Sequence, residues 1–431
     1  MSDFDAIIIG AGIGGLCSAA LLADSSRCRI LVVEKLPFVG GRCSSLTHKG
    51  YTVTTGAVSI EAEGSLEQTF RDIGVPLPIR HPDPQVKYRV RNRDITLPER
   101  QALPFLLEEA SGTSGAAGQV LKAFREASDP ESMDISVSAW LGRYTEDPGV
   151  IGVFRVLCGG IFSVSLEEAP VAELFTMVRA RSFRRFGFPP GGNGEIAEAL
   201  ASVILKNGGH ILKNTKVTRI CVRDSQVDGI RWKQGDREQE ATASYVISNV
   251  GARKTAELAG RVCFPSKDLS RLDRMKSSYT LTVEILSDRP FVDFPGILML
   301  PEARRAAFVA CPTLICPELA PQGKHITTVL GPPSLSEEPL NLREEFETLL
   351  QDARDALAGF EKHGGKLLMR SFRKDWPGFR ARPGQSMPRE TPVRNLFNVG
   401  DSVNPPGLYG VGGCAETARR VVQTIREVEK W

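Results

Sequence analysis

Asp5-Ala6-Ile7-Ile8-Ile9-Gly10-Ala11-Gly12-Ile13-Gly14-Gly15 joins a short β-branched run to a glycine cluster, after which Ile13, Leu16, Ala20 and Ala23 recur at helical spacing. Arg29 to Glu34 reads as a second buried strand, so the first forty residues form one β-α-β unit. The G-x-G-x-x-G pattern lies directly between strand and helix. There its glycines permit a tight turn, a close backbone approach to a pyrophosphate and close helix–strand packing. Phosphate oxygens at such a place meet the unpaired N–H groups of the helix start. Glu34, nineteen residues beyond Gly15, ends the second strand, where a carboxylate accepts hydrogen bonds from adenosine ribose hydroxyls and repels a 2′-phosphate. Gly10, Gly12, Gly14, Gly15 and Glu34 are the candidate dinucleotide-binding residues, and FAD and NAD both satisfy the pattern.

Outward from this unit, the chain of 431 residues is two to three times the roughly 150 residues of a common domain. With 42% apolar and 24% charged residues, and 41 glycines and 28 prolines spread along its length, it is neither disordered, collagenous nor coiled coil. A net charge of +3 leaves no whole-protein field to gather nucleic acid. The nine cysteines contain no C-x-x-C pair, so neither a zinc site nor a disulfide framework is expected, and a reducing cytoplasm is the expected location. The most apolar stretch, Val150 to Val164, is short and carries Arg155; no membrane span is expected, which leaves room for a peripheral membrane contact. Between about Ile79 and Pro189 the pattern reads as helices with loops. From Gly191 the α/β character returns, Tyr279 to Leu330 reads as an antiparallel sheet, and a strand at Leu396 to Val399 precedes a final helix marked by Ala415, Ala418, Val422 and Ile425.

Glu34-Lys35 is followed by Gly40-Gly41-Arg42 and Ser44-Ser45, and with these residues the sequence resembles the flavin-dependent amine oxidase and phytoene desaturase superfamily. The resemblance implies FAD, with Lys35, Gly41 and Arg42 near its pyrophosphate, where a guanidinium offers forked donors to phosphate. Phe188-Pro189-Pro190-Gly191-Gly192-Asn193-Gly194 looks like the family's glycine-rich entry into the helix before an adenine-contacting strand, on which Val217 matches the residue whose backbone pairs with adenine. Cys311-Pro312 through Lys324 resembles a Pro-rich turn of the desaturase subgroup. Asn398-Val399-Gly400-Asp401-Ser402 resembles the strand whose aspartate binds the ribityl or pyrophosphate region. Pro405 to Gly413 then opens the last helix, so that Val411 and Gly412 would offer backbone N–H groups to the flavin N1–C2=O edge. The implied fold class is α/β: a discontinuous, glutathione reductase-like Rossmann domain with an inserted substrate domain of mixed sheet and helices. Residues 1–80, 190–265 and 385–431 would build the first, and 81–189 and 266–384 the second.

No second strand-G-x-G-x-x-G-helix unit occurs, so a small-molecule substrate, not NADPH, is expected to reduce the flavin, with electrons passing to oxygen, a quinone or another acceptor. Amine oxidases place a lysine on a strand of the substrate domain; the comparable Ser277 to Val283 has none, although Lys276 lies just before it. The leading expectation is therefore a desaturase or dehydrogenase that forms a C=C bond in an apolar or partly apolar substrate, a carotenoid, another isoprenoid or a ring compound. Amine oxidation, flavin-dependent isomerisation and non-catalytic flavin binding are the alternatives. Tyr409 and Tyr279 are the candidate catalytic side chains, and Tyr409 is also a candidate pocket wall. Arg179, Arg181, Arg184 and Arg185 fall within seven positions. They read as a solvated basic face or, functionally, as Arg184 and Arg185 orienting a substrate carboxylate or phosphate or touching acidic lipid heads. None of the five histidines stands in a triad-like setting, and no metal is expected.

Overall fold

The computed structural model describes residues 2–25, 28–127, 133–180, 185–235, 237–375 and 380–429. Two seven-stranded sheets organise them. In the first, Phe4–Ile9 lies at the centre, parallel to Ile30–Val33 on one side and to Arg237–Ser248 on the other. His210–Leu212 extends the sheet beyond Ile30–Val33, and Leu396–Asn398 adds in parallel to Arg237–Ser248. Ile7, Ile8, Ile30 and Val32 are fully buried because helices cover both faces, which is why these strands read as continuous apolar runs rather than as alternating ones. Helices Ile13–Ser25, Gly194–Lys206 and Gly410–Glu429 share a core with one face through Leu16, Ile196 and Ala415; Ala252–Ala259 packs on the other.

The second sheet runs Lys366–Arg373, Thr280–Ser287, His325–Gly331, Phe308–Ala310, Ile297–Met299, Val86–Val90 and Arg93–Thr96 in spatial order. Its pairs are antiparallel except for Ile297–Met299 beside Val86–Val90. Helix Leu342–Ala356 covers one face through Phe346, Leu349 and Ala353. The other face turns toward a helical group between 102 and 180, whose core holds Trp140, Phe154 and Phe175.

One element departs from the sequence reading. The hairpin Val86–Val90 and Arg93–Thr96 lies where only helices and loops were expected; it buries Tyr88 and Val90 and leaves Lys87 and Arg89 half-exposed, the two-residue period of a strand with one face covered. The apolar stretch around Val150 divides into helix Pro148–Leu157, capped by Asp147 accepting from the Val150 N–H at 2.9 Å, and a π-helical turn at Cys158–Phe162. Among the described residues no helix is long and apolar enough to cross a membrane.

Candidate functional site

The turn after Phe4–Ile9 is held from three sides. Gly10 donates its N–H to the Val33 carbonyl at 2.8 Å, Gly40 donates to the Ala11 carbonyl at 2.7 Å, and Asn249 donates its backbone N–H to Ile9 at 2.8 Å. The helix start approaches so closely at Gly15 that a Cβ there would overlap the Gly10 carbonyl. Glu34, only 5% exposed, grips the same turn: Oε2 accepts from the Ala11 N–H at 2.7 Å and Oε1 from the Leu36 N–H at 2.8 Å. Each oxygen keeps a lone pair for a further donor. Arg42, carried in by the Gly40 contact, forms an ion pair with Asp401 from the far end of the chain. Gly400 donates to Thr417 Oγ1 at 2.9 Å, which ties the Leu396–Asn398 strand end to the last helix.

These residues border one cavity of about 800 Å³ that reaches from the glycine turn into the space under the second sheet, within the range of small-molecule sites. Gly10, Gly12, Gly14, Glu34, Lys35, Gly41, Arg42, Val217, Asp401 and Val411 line it. Gly15, Gly400 and Gly412 stand behind the wall: Gly15 serves helix packing, and a Cβ on Gly412 would collide with the carboxylate of Glu61, which lies over the first turn of Gly410–Glu429. The donor set fits an adenine dinucleotide. A backbone-walled glycine turn at a helix start suits phosphate, and a buried carboxylate with free lone pairs suits ribose hydroxyls.

The substrate-side expectations fall differently. Tyr409 is not a lining residue; its ring meets Phe162 edge-on at 4.8 Å and its hydroxyl donates to Glu173, which also accepts from the Gly407 N–H at 3.0 Å. Burial first, and then the Glu173 charge, drive its phenol pKa far above the ordinary value. Ser278 and Thr280 face the cavity, so backbone alternation sends Tyr279 the other way, against Phe372 at 5.5 Å with the Lys374 ammonium over its ring. Arg185 is exposed and pairs with Glu63 at 3.0 Å, away from the cavity; Arg184 lies outside the described residues. Lys276 is also turned outward, paired with Glu337.

Sequence reasoning did not single out Asn249, Glu61, Arg373 or Arg380, all of which line the cavity. Asn249 closes the strand Arg237–Ser248 beside the glycine turn and donates Nδ2 to the Gly10 carbonyl at 3.4 Å. Its signal is positional: a side chain at the end of a strand parallel to the first one reaches the same crevice. Deeper in, Tyr88, Ile297, Met299, Phe308 and Leu330 make an apolar chamber.

A family model described as flavin containing amine oxidoreductase matches residues 13–426. The chain is 23% identical to the chloroplastic prolycopene isomerase of Arabidopsis thaliana, over 95% of this chain and 79% of that protein. It is 27% identical to a neurosporene-forming phytoene desaturase of Cereibacter sphaeroides, over 59% of this chain and 54% of that protein. Among solved structures, an oxidoreductase from Methanosarcina mazei is similar with a TM-score of 0.84 and 28% identity, covering 97% of this chain and 100% of that one.

Proposed function

The chain belongs to the flavin-containing amine oxidoreductase family, and from that premise we propose that it is an FAD-dependent desaturase or dehydrogenase of an apolar or partly apolar substrate. FAD, when bound, supplies a hydride acceptor. Glu34 and Val217 would hold its adenosine, the Gly10–Gly15 turn, Gly41 and Arg42 its pyrophosphate, and Asp401 with Val411 its ribityl and flavin end. The observation that carries the reading is the apolar chamber that continues from the nucleotide cavity. Its walls favour a hydrocarbon chain or ring over a charged amine, exclude water from the reacting C–H bond and offer no lysine of the Ser277–Val283 segment. The first turn of Gly410–Glu429 brings the positive end of a helix dipole to the cavity at Val411, where negative charge from a reduced ring would be stabilised. Electrons would leave to oxygen, a quinone or another acceptor.

Anaerobic stopped-flow mixing of the yellow holoenzyme with a panel of alkenes, polyenes, ring compounds and amines tests this reading. Bleaching of the flavin band by a hydrocarbon-type substrate, with a product two mass units lighter, is expected; bleaching by amines alone overturns it. Isomerisation of a polyene is the second reading, favoured by similarity to an isomerase over 95% of the chain. A product of unchanged mass, formed only after the flavin has been reduced, would mark it.

A further inference from the structure

Two guanidiniums flank the start of the strand Thr280–Ser287. Arg373 is in register with Thr280 on the neighbouring strand, and the Arg380 carbonyl accepts from the Ser278 N–H at 3.0 Å. Both side chains line the cavity, as does Ser278 between them. Arg373 is only 8% exposed, yet among the described residues its guanidinium reaches just Thr282 Oγ1 and the Thr54 carbonyl, each at 3.5 Å. Arg380 donates to Ser163 Oγ at 2.9 Å and to the Ile161 carbonyl at 3.4 Å. Among the described residues neither has a carboxylate within ion-pair distance; the acids that act on them, Glu284 and Asp401, do so from further away. The hydroxyl of Ser278 is buried and has no hydrogen-bond partner among the described residues.

A guanidinium carries five donors in a planar fork, and burying it with most of them unmet is costly unless an anion takes them. Burial draws Arg373 down to about 10, so it remains a cation at neutral pH. At this end the cavity thus presents two forks and a free hydroxyl, while beyond it the walls are Tyr88, Met299, Phe308 and Leu330. A wholly hydrocarbon substrate would leave unpaired every one of those donors that the cofactor's phosphates, near Arg42, do not take. Of the two arginines that the sequence suggested for such a task, Arg185 is spent on Glu63 at the surface, and Arg184 lies outside the described residues.

We propose that the cavity takes an amphipathic anion, an apolar chain or ring bearing one carboxylate or phosphate, whose head is held by Arg373, Arg380 and Ser278. This rests on the reading of the cavity as the substrate chamber, and the bidentate match of guanidinium to either head supplies the selectivity.

Calorimetric titration of the FAD-loaded protein with geranic acid, geranyl phosphate and geraniol, which share one chain, tests it. At least one anion is expected to bind tenfold or more tightly than the alcohol, and the tighter anion identifies the head. Arg373→Gln and Arg380→Gln should each keep FAD and reduce that preference to threefold or less, and Arg373→Lys should restore part of it. Equal binding of all three ligands overturns the proposal, as does full anion preference in variants that retain FAD. Loss of FAD from both glutamine variants assigns the arginines to the cofactor's own phosphates and overturns it too. If the variants do not fold, the wild-type ratio decides. Because binding is measured without turnover, failure of the desaturase reading in stopped flow leaves this result standing on its own.

Discussion

A Cβ at Gly12 would sit 2.6 Å from Asn249 Nδ2, so Gly12→Val has to displace the side chain that braces the Gly10 carbonyl and also fills the approach to a pyrophosphate. We expect this variant to purify folded and colourless; a normal flavin absorption spectrum would contradict the assignment. Glu34→Ala strips partners from two backbone N–H groups, at Ala11 and Leu36, and each loss costs about 1–3 kcal/mol. It should release FAD on dialysis, read as a fall in the ratio of flavin to protein absorbance. Tyr409→Phe is different in kind, because the hydroxyl serves Glu173 behind the wall. It should lower stability in urea by about 1–3 kcal/mol while turnover changes by less than threefold; a large loss of turnover at constant flavin content would restore a catalytic role. The residues that spacing could mark, from the glycine turn to Glu34, Arg42 and Asp401, were legible because their chemistry lies in short local patterns. Arg373 and Arg380 were not. Each owes its place to contacts more than ninety residues away, at Thr282 and Ser163, and nothing local distinguishes them from solvated arginines.

Elements were legible where one period dominates and obscure where it breaks. Helix Leu342–Ala356 shows its face through Phe346, Leu349 and Ala353, whereas Val86–Val90 offers only five residues of alternation, too few to outweigh the helical pattern around it. The π turn at Cys158–Phe162 follows a helix and carries Gly159 and Gly160, which weaken the α-helical preference there and face Pro332 and Phe308, so packing and propensity set it together. The strand Thr280–Ser287 hides a further feature. Its Glu284 is buried on the side shared with Thr328, which donates to Oε2 at 2.6 Å, while Oε1 has no partner among the described residues. Burial raises its carboxyl from 4.5 to about 7, against the opposing pull of Thr328 and Arg373. The folded state therefore binds a proton more tightly than the unfolded one. Its contribution is fully present below pH about 4.5 and is lost as pH rises toward 7, a change of ~3 kcal/mol. Glu284→Gln should remove this slope, so that unfolding free energy of the wild type minus that of the variant falls between those pH values and is flat outside them. A flat difference throughout would mean that Glu284 has the same pKa folded and unfolded, as a carboxyl in water does.

At the scale of the whole molecule, the strands of the first sheet come from three stretches, 4–33, 210–248 and 396–398, and those of the second from 86–96 and 280–373. Such an arrangement is readable only because parallel strands need long crossovers, so a chain that leaves a sheet can build elsewhere before it returns. The cavity is where the two layers meet: Ile9 and Val33 border it from the first sheet, Thr280, Ile297 and Leu330 from the second. A ligand that spans it touches segments almost 400 residues apart in the chain, from Gly10 to Asp401, and binds the folded state alone. FAD should consequently act as a structural tie as well as a reagent. At a free concentration one hundred times its dissociation constant it should add about 2.7 kcal/mol to unfolding. Thermal unfolding of the apoprotein with and without added FAD measures this, and Gly12→Val, whose turn is blocked, should show no FAD-dependent shift. A wild-type melting curve indifferent to FAD at that concentration would mean that the folded state does not bind the nucleotide, and the assignment of the cavity to FAD would fall.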